Sequence, residues 1–328
     1  MLIWLCSCGN ELDTITYSDP IPVVYGVVSP QDSIHRIRLN RSFITDKNIE
    51  ENARIYDSVY YPEAKIFLEA RSSRGDVIQR FEMVQEELPP RDIGIFISEP
   101  NLVYECSTND LIDPLDKIEG LKYALTILLP GEPESIFAEC MVPPLPEFRY
   151  IEPKPGSKPY ELQLFDFEIP IFFSWPRSMK YYLEFETRVN ILEMRNGEWG
   201  KSEVIHSMKF NRWDREPIER YEKVVIRGGW FCSIIGGRIK NDPEVTLRKF
   251  ESIDFILKTS DPMFYDYFEY GHQTTDLYTN IFTNVIGGIG IFVAFNRLKW
   301  EGYTVNQRVL DSLANGRYTK HLRFLRWD

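Results

Sequence analysis

Ala64, Ile66, Leu68 and Ala70 share one side of an extended segment. So do Tyr123, Leu125, Ile127 and Leu129, and again Ile136, Ala138, Cys140 and Val142. Successive side chains of a strand point to opposite faces, so a period of two buries one face and frees the other. A helix cannot use such a pattern. Turn residues separate the runs, Ser72-Ser73-Arg74-Gly75-Asp76 after the first and Pro130-Gly131 between the second and third. Together with the β-branched and aromatic run Val23 to Val28, they specify an N-terminal β-sandwich of immunoglobulin or transthyretin type over residues 20–150.

Prolines at positions 143, 144, 146, 153, 155 and 159 interrupt the pattern. Proline removes a ladder donor and stiffens an extended chain, which places a domain boundary near Ile151. A second β-rich domain then covers residues 151–296. Its strands are Ile169 to Trp175, the alternating Tyr181, Leu183, Phe185, Thr187, Val189 and Ile191, and part of Val245 to Leu257. Asn196-Gly197 is a hairpin signal leading into Val204-Ile205. One short helix is expected from Pro262 to about Tyr270, with Asp261 as its cap and Pro262 at its first position. A shorter helical insert is expected within Asp46 to Tyr56. Ile286-Gly287-Gly288-Ile289-Gly290 lacks the Lys-Ser/Thr pair of a phosphate loop and reads as a glycine-bent entry to the closing strand. Residues 297–328 carry seven Lys or Arg against three acids and read as a basic, solvated extension.

The start of the chain carries an address. Leu5-Cys6-Ser7-Cys8 follows an apolar run and precedes the polar Gly9-Asn10-Glu11, the layout of a lipobox with Cys8 as the lipidated residue. Residues 1–8 are then the remnant of a lipoprotein signal, although no Lys or Arg precedes Cys8 and the apolar run is short. Each buried acyl methylene contributes about 0.8 kcal/mol, so several chains on one cysteine hold a protein to a bilayer. No uninterrupted apolar stretch of about 18 residues occurs to span one.

Composition narrows the function classes. Across 328 residues the formal net charge is -11, which repels phosphate backbones and excludes general nucleic-acid binding. Of five cysteines, Cys6 and Cys8 belong to the signal. Cys106 and Cys140 either pair in an oxidising compartment or stay buried as free thiols, and no spacing fits zinc. The four histidines, His35, His206, His272 and His321, form no H-E-x-x-H pair, and no G-x-S-x-G elbow occurs. His35 reads as a structural histidine on a strand face. The aspartates of Asn109 to Asp116 lack the glycine and terminal glutamate of a calcium loop. Among seven tryptophans, Trp199, Trp213 and Trp230 are the candidate stacking platforms for a sugar ring or a partner, Trp199 foremost because it follows the Asn196-Gly197 turn. Catalytic residues, cofactors and metals are not expected.

The layout as a whole resembles a known group. It combines the lipobox, the strand Val23 to Val28, the segment Ile34 to Ser42, and the proline stretch Val142-Pro143-Pro144-Leu145-Pro146. The helix from Pro262 to Tyr270 and the closing run Asn284 to Ala294 complete it. Over roughly Val23 to Phe295 this is similar to a Bacteroidetes lipoprotein family of unassigned function, often encoded beside TonB-dependent outer-membrane receptors. The extension after Phe295 departs from the pattern. The resemblance implies a non-catalytic lipoprotein of the cell envelope, anchored in the outer membrane and accessory to an uptake receptor or surface complex. A surface glycan-binding lipoprotein is the alternative.

Overall fold

The computed structural model describes residues 20–42, 49–108, 118–144, 147–150, 161–165, 169–174, 182–211, 221–261, 263–264, 267 and 283–326. The first part of the chain forms strands β1 (Pro22–Val28), β2 (Ile34–Arg41), β3 (Lys65–Arg71), β4 (Val77–Leu88), β5 (Asn101–Ser107), β6 (Lys122–Leu128) and β7 (Ile136–Met141). Between β2 and β3 lie the one-turn helices α1 (Ile49–Asn52) and α2 (Tyr56–Val59), where a helical insert is expected. The period of two holds: Ile66, Leu68 and Ala70, then Tyr123, Leu125 and Ile127, then Ile136, Ala138 and Cys140 are all buried.

The pairing order explains the two layers. β1, β2, β5 and the far half of β4 form one layer, and the near half of β4 with β3, β6 and β7 forms the other. Two strands from late in the chain complete them. β15 (Val285–Ile286) pairs with β7, and β16 (Ile289–Val305) runs parallel to β1, with Val23 opposite Ile289 and Val28 opposite Ala294. Asn284 closes the seam between the layers by imitating a peptide group. Its Oδ1 accepts from Phe292 N at 2.9 Å, while its Nδ2 donates to Phe292 O at 2.6 Å and to Glu139 O at 3.2 Å. The glycine-bent entry is required here. Gly290 has φ +117, and a Cβ on it would stand 2.0 Å from Val24 O.

The second part contains β8 (Glu147–Tyr150), β9 (Glu161–Leu162), β10 (Ile169–Ser174), β11 (Tyr182–Arg195), β12 (Glu198–Asn211), β13 (Tyr221–Ile226), α3 (Gly228–Arg238), β14 (Val245–Ser260) and α4 (Gln307–Asn315). β12, β11, β14 and β16 make a long antiparallel sheet. β13, β10 and β8 form a second sheet, and its Ile171 and Val224 pack with Phe185 and Phe255 of the first, Phe231 and Ile235 of α3, and Val309 and Leu313 of α4. The chain is therefore mainly β, as its alternation specifies.

Two expectations about boundaries need correction. The limit at 296 falls inside β16, which leaves the first core at Ala294 and continues into the second at Tyr303. One strand thus belongs to both modules, and through it all the described strands except β8, β10 and β13 join in a 13-stranded sheet. The basic segment 297–328 is also no solvated tail. Val309, Leu313, Leu322 and Phe324 are buried, because α4 turns an apolar side to the core while its charges face out.

Helices likewise exceed the one expected. Asp261 does cap as anticipated, accepting from Met263 N at 2.8 Å, and Met263, Phe264 and Tyr267 are helical; the rest of that helix lies outside the described residues. α3 and α4 are additional. Asn306 caps α4 by accepting from Val309 N at 3.2 Å, and Gly228 lets α3 start flat against the Phe165 ring, where a Cβ would come within 2.7 Å.

Candidate functional site

Distant stretches of the second module meet beside the β11–β12 hairpin and border an open cavity of about 370 Å³. The hairpin forms because Asn196 and Gly197 both take positive φ, +52 and +86, as a two-residue primed turn requires. It projects Glu193 and Arg195 on the face that also carries Ser202 and Val204. Opposite, α3 ends at Arg238, and Lys240 to Asp242 lead down into β14. Asp242 fixes that corner, its Oδ1 accepting from Glu244 N at 2.9 Å.

The carboxylates around the cavity already hold cations. Glu193 accepts from Arg248 Nε at 2.8 Å and from Arg195 Nη2 at 3.1 Å, and Asp242 accepts from Arg195 Nη1 at 2.7 Å. The Glu244 N–H, followed by Arg195, keeps the Asp242 carboxyl below the usual carboxylate range. Glu203 pairs with Arg188 at 3.4 Å. Two cations are left over. Neither Arg238 nor Lys240 has a carboxylate partner among the described residues, and both are exposed. Arg238 instead donates from Nη2 to His206 Nδ1 at 3.3 Å, because a guanidinium has no acceptor. Burial, with Arg238 beside it, lowers the His206 pKa and keeps the ring neutral.

The expected site residues are dispersed. Trp230, on α3, is half-buried against the second core and meets His206 edge-on, with centroids 5.2 Å apart. It therefore backs the cavity through His206 and Arg238. Trp199 is 41% exposed beside the turn, but it sits on the opposite face of the β11–β12 ribbon from Ser202 and Val204. Cys8 and Trp213 lie outside the described residues. Arg238, Lys240, Arg195 and Asp242 carried no warning in the sequence beyond the Asn196-Gly197 and Asp242-Pro243 turns that bring them together.

A second titratable cluster is sealed inside the first core. His35 of β2 faces Cys106 of β5, and Tyr123 of β6 faces Cys140 of β7. The His35 and Tyr123 rings touch across the layers, with centroids 5.6 Å apart. Both ring nitrogens and the phenol oxygen are buried with no hydrogen-bond partner. Burial lowers the His35 pKa against the pull of Asp32, and it pushes the Cys106 thiol up to about 12 with help from Glu105. Cys106, Cys140 and Cys232 are free thiols, so Cys106 and Cys140 do not pair. Among the described residues no three of His, Cys, Asp and Glu gather in a way that can hold a metal ion. No helix there is long and apolar enough to cross a membrane.

With this geometry in hand, the chain can be compared with known proteins. The family described as Domain of unknown function (DUF4249) matches residues 10–300. The chain belongs to that family. The DUF4249 match takes in both modules and ends within β16, so α4 and the final segment lie beyond it. Comparison with curated proteins gives no match. Among solved structures, trypsin-activated alpha-2-macroglobulin from Escherichia coli aligns with 74% of this DUF4249 chain at 9% identity, with a TM-score of 0.22. The alignment covers 14% of that protein, so the chain spans a small share of its length.

Proposed function

We propose that this DUF4249 protein is a cell-envelope lipoprotein, held to the outer membrane by acyl chains on Cys8. It serves as a non-catalytic accessory to a TonB-dependent uptake receptor or surface complex. The observation that carries the reading is the placement of the family match. It begins at residue 10, just after the Leu5-Cys6-Ser7-Cys8 lipobox, so the matched body starts where an anchor would end. Several acyl chains on one residue suffice for stable attachment, with no need of a spanning helix. The body is suited to docking rather than turnover: its thiols are buried and protonated, and ion pairs line its cavity beside a long antiparallel sheet.

Metabolic labelling with a radioactive fatty acid tests the anchor. Label on the native chain that is lost in Cys8→Ser supports it; an unlabelled native chain recovered from the soluble fraction removes it. Affinity recovery from gently solubilised membranes tests the partner, and the expected co-purifying protein is a TonB-dependent receptor. Recovery of the chain alone at native expression counts against the accessory role.

A second reading, surface glycan binding, draws on the exposure of Trp199 beside a hairpin turn. Polysaccharide binding that disappears in Trp199→Ala supports it, and a glycan array without hits removes it.

A further inference from the structure

We infer that the open edge of β12, where it faces Arg238 and Lys240, accepts an extended acidic peptide segment as an added strand. β12 is the last strand of its sheet, and among the described residues it pairs with β11 alone. Ser202, Glu203, Val204 and Ile205 all border the cavity. Consecutive side chains of a strand leave on opposite faces, so four in a row means that the rim of the strand, rather than one face, borders it. The rim N–H and C=O groups that point away from β11 are a ready template for another backbone.

Edges of this kind are commonly guarded by a charge standing over them. Here Glu203 pairs with Arg188 at 3.4 Å, which ties its charge to the sheet and leaves the rim open. The opposite wall supplies the selectivity. Arg238 and Lys240 are exposed and lack a carboxylate partner among the described residues, while Glu193 and Asp242 are each held by an arginine. An added strand places alternate side chains on the side facing this wall, so acidic residues at every second position meet the two cations while the backbone completes the ladder. Arg238 is steadied for that role by its contact with His206 and the Trp230 ring behind it. A small carboxylate, such as free glutamate or a uronate, would engage the cations without using the rim. The four-residue stretch of rim therefore favours a peptide.

The test uses the full chain and a fluorescent, N-acetylated peptide of alternating Glu and Val. The expected results are saturable binding, slowed hydrogen exchange at those Ser202–Ile205 amides that point away from β11, and no binding of the Lys–Val counterpart. The R238E/K240E double variant, and a peptide methylated at alternate backbone nitrogens, should each weaken binding by about tenfold or more. Both substituted residues are exposed, and unchanged circular dichroism verifies the fold; R238Q/K240Q replaces the double reversal if it does not fold. The inference is overturned if the Glu–Val peptide does not bind, if methylation leaves its affinity unchanged, or if free glutamate or galacturonate competes as well as the peptide. It stands or falls apart from the lipid on Cys8, which none of these readouts involves.

Discussion

Arg248 Nε lies 2.8 Å from Glu193 Oε1, and the guanidinium is only 1% exposed. Arg248 Nη1 also donates to Leu322 O at 2.7 Å, and its backbone bonds Arg323 O and Leu325 N. The pair therefore joins the long sheet to the last described segment of the chain. Removing one member of a buried ion pair strands the other, at a cost of about 3–5 kcal/mol. Here the buried member is Arg248, so Glu193→Gln, which leaves its guanidinium without a carboxylate, should lower unfolding free energy in urea by that order. Arg248→Met should cost less, about 1–3 kcal/mol, since Glu193 keeps Arg195 at 3.1 Å while Leu322 O loses its donor, and it should expose the segment after α4 to protease. Equal stability of Arg248→Met and the native chain would contradict this account.

His35 makes folding sensitive to acid. Its pKa is lowered in the folded state, chiefly by burial. Below the ordinary histidine value of about 6.5, the unfolded chain therefore binds a proton that the folded chain refuses, so stability rises with pH through this window and falls on acidification. Tyr123 and Cys106 offer no compensating charge, and Asp32 is already paired with Arg297. Urea midpoints measured from about pH 5 to pH 8 should fall more steeply on the acid side for the native chain than for His35→Phe. Parallel profiles would assign the slope to other groups.

Cys106, Cys140 and Cys232 should resist thiol reagents in the folded protein. Burial pushes Cys232 up to about 11 and Cys106 up to about 12, and the thiolate is the reactive form. Iodoacetamide at about pH 8 followed by peptide mapping should leave these positions unmodified until urea is added. Rapid labelling of Cys140 in the native protein would show that the first core opens readily.

Gly290 should tolerate no side chain. Its φ of +117 and the 2.0 Å approach of a built Cβ to Val24 O demand displacement of β1 or β16. Gly290→Ala is expected to destabilise by about 3 kcal/mol. Gly131→Ala, at φ +81 but with open space around its Cβ, should cost less in the same thermal-unfolding experiment.

The strands with one buried face were legible because Ile66, Leu68 and Ala70, or Tyr123, Leu125 and Ile127, write the period of two directly. β16 was not. Ile291, Phe292, Val293 and Ala294 are all buried, so alternation vanishes where the strand is covered on both sides. α3 escaped notice because Gly228, Gly229, Gly236 and Gly237 bracket its apolar residues, and glycine signals a turn more often than a helix. The cavity was illegible for a different reason. Arg195, Arg238, Lys240 and Asp242 look like ordinary surface charges, and only the long-range pairing of β11 with β14 and the packing of α3 on β12 make them neighbours. Trp199 and Trp230 have the same composition signal, yet a shift in face separates them.

The passage of β16 through both cores has a mechanical consequence. β1 lies parallel to β16 from Val23 to Val28, and β16 then continues into the second module. Tension applied to the polypeptide ahead of Pro22 loads those six paired positions in shear, all at once, rather than peeling them one by one. The load passes along β16 into the second module, so the strand that anchors the first core also carries the pull to the next.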